Sequence, residues 1–145
     1  MTLPATMNAM VTMGHGGIEK MVWHEAWPRP DPAPGEVLIR VRACGLNNTD
    51  VNTRSGWYSK AVTAPTTGGA YDTVHDEDPT WGAAPISFPR IQGADVCGEI
   101  VGVGDGVDPA RIGERVITDN WLRDPNDPSN MSKTGYFGSE RDGGF

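Results

Sequence analysis

The stretch PGEVLIRVRACGLNNTDVNTRSG, residues 34–56, decides the fold of this chain. Apolar residues take every second position of its first half and so share one face of an extended backbone: Val37, Ile39, Val41 and Ala43. This period of two predicts a half-buried β-strand over 37–44. The polar run that follows predicts a short helix within 47–56, with an Asn or a Thr as its N-terminal cap.

The segments on either side are short strands separated by turns. Beyond 37–44, the alternation and the flanking glycines predict strands over 8–13, 18–27, 94–103 and 113–119, the first two forming a hairpin. An irregular insert occupies 59–87, and the chain is again polar and rich in Gly and Pro from 120 onward. Because no amphipathic helix of crossover length separates the strands, a parallel sheet is not expected. The fold class predicted is all-β with short helices, a small barrel or sandwich.

Composition bounds the kind of protein. The 145 residues carry a net charge of −7 and no basic stripe, which argues against binding to nucleic acid. No apolar run is long enough for a membrane span, and the N-terminus does not resemble a secretory signal, so we expect a cytoplasmic protein. Cys44 and Cys97 form no CxxC pair, and we expect them to be small buried residues rather than a disulfide or metal ligands.

Three segments resemble the medium-chain dehydrogenase/reductase family, which contains alcohol dehydrogenases and quinone oxidoreductases. They are residues 34–56, residues 88–117 (FPRIQGADVCGEIVGVGDGVDPARIGERVI), and residues 139–145 (SERDGGF), which resemble the start of a further strand. The resemblance implies that 1–145 is a GroES-like catalytic domain, a β-barrel whose active site faces a Rossmann domain absent from this sequence. NADP or NAD, a small-molecule substrate and a homodimer of the full enzyme are implied in the same way.

Two positions of the resemblance indicate an enzyme that works without zinc. Zinc-dependent members carry a Cys ligand where Asn47 stands and a His ligand where Ala94 stands. A catalytic zinc needs three protein ligands, so no such site is expected here. Both departures resemble the zinc-independent quinone oxidoreductase branch.

The same resemblance supplies candidate site residues. Catalytic roles are expected for Asn47, Thr49 and Asp50, and contacts with the cofactor for Asn47 and Asn48. The substrate pocket is expected to include Asn52, Tyr58 and Asp95. Against these roles, Asn47, Asn48 or Thr49 could simply cap a helix or form a turn. Arg54 is expected to form a structural ion pair with an acidic neighbour.

The insert and the remaining histidines carry weaker expectations. Tyr58, Tyr71 and Trp81 could wall a substrate lid, and residues 75–78 (HDED) could bind a cation, although such a cluster is usually only solvated. His15 and His24 are expected at the surface.

The function that these residues favour is the catalytic-domain portion of a zinc-independent NADP- or NAD-dependent oxidoreductase. It would transfer hydride to an activated carbonyl, enone or quinone, and the isolated domain is expected to be inactive and prone to self-association. Two alternatives remain: a GroES-like barrel acting as a binding or assembly module, and a zinc alcohol dehydrogenase with relocated ligands.

Overall fold

A computed structural model describes residues 2–59 and 85–145, which form two three-stranded sheets, a two-stranded hairpin and one α-helix. The first sheet has the order β2-β1-β4, with β1 Thr6–Thr12, β2 Met21–Pro28 and β4 Arg90–Ile91. The second has the order β3-β5-β6, with β3 Val37–Gly45, β5 Asp95–Val103 and β6 Arg115–Ile117. The hairpin pairs β7 Trp121–Leu122 with β8 Gly135–Tyr136, and helix α1 spans Asn48–Arg54. Single 3-10 turns occupy Ile18–Lys20, Pro109–Arg111 and Met131–Lys133.

These elements confirm the predicted fold class. All pairings between the strands are antiparallel, and the only α-helix of the described residues has seven residues. The β1–β2 hairpin is present, but its second strand begins three residues later than predicted because Ile18–Lys20 forms a 3-10 turn. The strand predicted over 113–119 is shorter and spans Arg115–Ile117.

The closed core is small and lies mainly in the first sheet. Ala9 and Val11 on β1 pack with Ile91 on β4 and are at most 2% exposed. Met7, Trp27 and Phe145 cover this cluster from its edges. In the second sheet, Val96 and Ile100 on the central strand β5 are buried.

The predicted burial of the apolar face of β3 is only partly correct. Val37 and Ile39 are half-buried, whereas Val41 and Ala43 are exposed. Val37, Ile39 and Val41 line an open groove of about 330 Å³ instead of packing against a second layer. In addition, register shifts between Leu38 and Ile39 and between Val41 and Ala43 interrupt the alternation of faces.

The last residues run beside the first sheet without forming a regular strand. The strand expected to start within 139–145 is absent, and only an isolated bridge joins Phe137 to Arg141. The backbone amides of Gly143 and Phe145 nevertheless donate to the carbonyls of Ile91 and Gln92, at 2.8 and 3.0 Å. These bonds hold the segment next to β4.

Some expectations fall on residues that the structure does not describe. Tyr71, Trp81 and the cluster at 75–78 all lie within 60–84, outside the described residues. Among the residues that are described, none of the helices has the length and apolar character needed to cross a membrane.

Candidate active site

The N-terminus of helix α1 is fixed by a reciprocal capping box. The side chain of Asn47 accepts a hydrogen bond from the Thr49 amide at 3.2 Å, and the Asn47 amide donates to Oδ2 of Asp50 at 2.9 Å. Such a box satisfies backbone donors that the first turn of a helix leaves without partners. Asn47 therefore caps the helix, which was one of the two interpretations that the sequence left open.

Asp50 also ties the helix to the strand that follows the insert. Its second oxygen, Oδ1, accepts a hydrogen bond from the Gly93 amide at 3.2 Å. Burial raises the pKa of the Asp50 carboxyl, and the nearby Asp95 carboxylate adds to that rise, whereas the bonds from Asn47 and Gly93 oppose it. Both oxygens are thus occupied by backbone donors, so Asp50 holds its neighbours in place.

A buried amide links the same helix to the first sheet. Gln92 is 1% exposed, and its Nε2 donates to the backbone carbonyl of Asp50 at 2.9 Å. Its Oε1 accepts from the hydroxyl of Thr12 on β1, also at 2.9 Å. A buried amide is costly unless it is hydrogen-bonded, and both ends of this one are satisfied.

A cleft of about 220 Å³ opens beside the first turn of α1. Three of the residues predicted from the sequence line it, namely Thr49, Asp50 and Tyr58. Thr53 and Ala94 line it as well. The rest of the lining comes from a region without any predicted role: Asn120, Trp121, Tyr136, Phe137, Gly138 and Ser139. The cleft therefore combines an aromatic wall, formed by Trp121, Tyr136 and Phe137, with the hydroxyl of Thr49 and the carboxyl of Asp50.

The other predicted site residues lie around the cleft rather than in its lining. Asn52 contacts it indirectly, since its Nδ2 donates to the Tyr58 hydroxyl at 3.3 Å. Asn47 and Asn48 are exposed at the start of α1. Asp95 is exposed at the start of β5, opposite Gly45 of β3. The structure thus brings Thr49, Asp50 and Tyr58 together and leaves Asn47, Asn48 and Asp95 at the periphery.

Both cysteines are free thiols, and both are half-buried rather than fully buried as expected. Burial raises the pKa of the Cys44 thiol, and the carboxylates of Asp50 and Asp95 raise it further. A thiolate is the reactive form of cysteine, so this environment makes Cys44 a poor nucleophile.

Arg54 does not form the ion pair expected of it with any described residue. The side chain is 8% exposed, and its Nη1 donates to the carbonyl of Gly16 at 2.6 Å. The Gly16 amide returns a bond to the Arg54 carbonyl at 3.0 Å. These two hydrogen bonds attach the C-terminal end of α1 to the turn after β1, and the guanidinium of Arg54 provides one of them.

The two histidines are half-buried rather than at the surface. The ring of His15 packs edge-on against Phe88 with centroids 4.9 Å apart, and that of His24 packs against Trp27 at the same distance. Sequence spacing gave no sign of either contact, because both depend on ring packing in the folded chain.

The region around the cleft offers no metal ligand set within the described part of the chain. Ala94 lines the cleft with a methyl group, and the Asn47 side chain is engaged in the cap. Across residues 2–59 and 85–145, no three His, Cys, Asp or Glu side chains lie close enough together to hold a metal ion.

The aromatic wall is the part of the cleft that sequence reasoning missed. Trp121 and Tyr136 are paired across the β7–β8 hairpin, with ring centroids 4.9 Å apart. The sequence offered one signal for this wall, namely that three aromatic residues flank a polar segment: Trp121, Tyr136 and Phe137. Their convergence on Thr49 depends on long-range packing, which no local pattern encodes.

Comparisons with known proteins agree with this architecture. Residues 33–145 match the family described as "Alcohol dehydrogenase GroES-like domain". A solved structure from Sinorhizobium meliloti 1021, assigned as an alcohol dehydrogenase, superposes with a TM-score of 0.77 at 44% sequence identity, over 99% of this chain and 37% of that one.

Two curated relatives from the rat are also similar. The synaptic vesicle membrane protein VAT-1 homolog is 33% identical over 129 residues, which is 85% of this chain and 26% of the relative. A quinone oxidoreductase is 32% identical over 111 residues, 77% of this chain and 26% of the relative. The chain thus spans about a quarter of the length of these curated relatives.

Proposed function

The chain belongs to the medium-chain dehydrogenase/reductase family as its alcohol dehydrogenase GroES-like domain, and from that membership we propose that it supplies the substrate cleft of a zinc-independent, NADP- or NAD-dependent oxidoreductase. The substrate would be a small activated carbonyl, enone or quinone. The observation that carries the proposal is the cleft itself, whose lining combines aromatic side chains with Thr49 and presents Ala94 where a zinc ligand would be needed.

The size and chemistry of the cleft favour a small, flat substrate. A volume of about 220 Å³ is below the range of about 300–1,000 Å³ typical of sites for drug-sized ligands. Trp121, Tyr136 and Phe137 supply an apolar wall against which a ring or a conjugated chain can pack. Thr49 then supplies a hydroxyl that can donate to the substrate oxygen as negative charge develops on it.

The residues near the cleft fit a nicotinamide cofactor better than a metal. The Asn47 Oδ1 is used by the helix cap, which leaves its Nδ2 without a partner among the described residues and free to donate to a ribose hydroxyl or a carbonyl. Asn48 is exposed beside it. When bound, the cofactor supplies the hydride. Asn47 and Asn48 would hold and orient it, while Asp50 keeps the first turn of α1 in place through the Asn47 and Gly93 amides.

The first test is NADPH-dependent reduction of a panel of small quinones and enones. This chain is compared with an extended version, in which the part of the Sinorhizobium meliloti relative that this chain does not cover is fused to it. Activity restricted to the extended version supports the proposal, because the chain then provides a substrate cleft that needs a separate cofactor domain. Reduction by the 145-residue chain alone would contradict the expected inactivity of the isolated domain.

Substitution at Thr49 tests the role of the hydroxyl within the extended enzyme. Thr49→Val keeps the shape and the backbone amide that bonds Asn47, and removes only the hydroxyl. We expect kcat/KM to fall by about 10²-fold, as when a single donor to a developing oxyanion is removed. Thr49→Ser is the matched control and should retain most of the activity. Equal activity of the Val and Ser variants would refute a role for the hydroxyl.

Zinc-independence and the alternative function have their own measurements. Elemental analysis of the extended enzyme, with activity measured before and after chelation, should show neither stoichiometric zinc nor a loss of activity. A relocated zinc site would give stoichiometric zinc and a loss of activity on chelation.

Size-exclusion chromatography with light scattering distinguishes the enzyme from the assembly module. A closed ring of this chain, with no activity in the extended version, would favour the module.

A further inference from the structure

Gln92 is a fully buried polar side chain near the cleft, and it is not part of the cleft lining. It follows β4 and is 1% exposed, as buried as the core residue Ala9. Its two hydrogen bonds join Thr12 on β1 to Asp50 in α1, elements that are otherwise far apart in sequence. Burial of an amide at this point requires that both partners stay in place.

Helix α1 depends on such bonds for its position. A helix of seven residues is too short to be stable alone, so its place in the fold is set by tertiary contacts. At its C-terminal end, Arg54 is bonded to Gly16. At its N-terminal end, the Asp50 carbonyl accepts from Gln92 and the Asp50 carboxylate accepts from the Gly93 amide. Thr49, which lines the cleft, immediately precedes this anchored residue.

We propose that Gln92 is a positioning residue that sets the distance of the Thr49 hydroxyl from the substrate by anchoring Asp50 to the first sheet. The kinetic part of this inference rests on the proposed function. Gln92 touches neither substrate nor cofactor, so its effect on the reaction passes entirely through α1.

The orientation of the Gln92 amide is itself determined by Thr12. The Thr12 hydroxyl donates to Oε1, which turns Nε2 toward the carbonyl of Asp50. An ionised Glu at this position has only acceptors and could not bond that carbonyl. A side chain of the same length without polar atoms would fill the space and lose both bonds. Substitution can therefore test the length of the Gln92 side chain separately from its hydrogen-bond donor.

The first experiment measures amide hydrogen exchange by NMR in the 145-residue chain. Gln92→Met keeps the volume and removes both bonds, and Val11→Ala is the control, since it removes buried apolar volume from β1 without touching the helix. After correction for each variant's global stability, exchange at Thr49 should accelerate by about tenfold in Gln92→Met, the effect of losing one hydrogen bond. It should be unchanged in Val11→Ala. Equal acceleration in both variants would overturn the proposal.

A milder variant keeps the test decisive if Gln92→Met does not fold. Thr12→Val removes only the bond that orients the amide. We expect amide exchange at Thr49 and Asp50 to accelerate. The acceleration should be smaller than in Gln92→Met and larger than in Val11→Ala. Unchanged exchange at the backbone amides of Thr49 and Asp50 would mean that the Gln92 side chain does not anchor the helix.

The second experiment separates positioning from stability in the extended enzyme. In Gln92→Met, kcat should fall by about tenfold with KM little changed, because substrate still binds while the hydroxyl is displaced. Val11→Ala should keep both constants. A rise in KM with kcat unchanged, or the same fall in kcat in the control, would refute the role. If the unsubstituted extended enzyme reduces no substrate, the proposed function fails, and the exchange measurement still decides whether Gln92 anchors α1.

Discussion

Replacement of Gly93 by Ala should destabilise the chain far more than replacement of Gly106 by Ala. Both glycines have positive φ, +92° for Gly93 and +83° for Gly106. Each substitution therefore carries the cost of a left-handed backbone with a side chain, about 1–2 kcal/mol. The surroundings of the two positions differ, and this difference makes them a matched pair.

At Gly93 an added Cβ has no room. It would lie 2.6 Å from Sγ of Cys44 and against the ring of Phe145, whereas a Cβ at Gly106 meets nothing within 4 Å. Overpacking of this kind adds about 1–3 kcal/mol. The free energy of unfolding should then fall by about 2–5 kcal/mol for Gly93→Ala and by about 1–2 kcal/mol for Gly106→Ala.

Urea unfolding followed by circular dichroism measures this difference. With a slope of about 1–3 kcal/mol per molar urea, the extra cost at Gly93 should lower the midpoint by about 1 M relative to Gly106→Ala. The slopes of the two variants should agree, which shows that the unfolded state is unaffected. If both variants unfold at the same midpoint, the close packing of Cys44 and Phe145 around Gly93 does not exist as described.

Two further predictions concern titratable groups. The pKa of Asp50 is raised by burial, so its contribution to stability is fully present below the unfolded value of about 3.9 and is lost as pH rises through the folded pKa. Asp50→Asn removes that titration, and the stability advantage of the parent chain over the variant, measured by urea unfolding, should shrink as pH rises from about 3.9 through the folded pKa; a constant gap would contradict it. A hydrogen bond from Arg141 holds the pKa of Glu36 below its usual range, so this pair stabilises the fold above about pH 4.3 and the gain is lost as pH falls through the folded pKa. Arg141→Ala should cost no more than about 1 kcal/mol at pH 7 and nothing below the folded pKa of Glu36, and a cost that persists under acid conditions would count against the pair.

Elements defined by local chemistry were predictable from the sequence. The cap at Asn47 follows from an Asn placed just before a short polar helix, and the β1–β2 hairpin follows from alternation around a glycine turn. The strand β5 was predicted within one residue of its start. In each case the signal and the structure lie within about ten residues of one another, so no knowledge of the rest of the fold was needed.

Features produced by distant segments were not predictable. Gln92 reads as an ordinary polar residue, because nothing local shows that Thr12 and Asp50 will meet it from opposite sides. The aromatic wall needs Trp121 and Tyr136 to pair across a hairpin and then to line the same cleft as Thr49. The alternation of 37–43 identified a strand correctly, yet it could not show that Val41 would remain exposed along an open groove.

A molecule bound in that groove would make the stability of this chain depend on the concentration of that molecule as well as on the sequence. Ile39 and Val41 line it, and the same two residues border a second opening of about 400 Å³ that reaches Phe145. An apolar segment seated there would bind only the folded form, because the unfolded chain has no groove to offer. By mass action, its concentration would then raise the melting temperature, with no change to any residue of the chain.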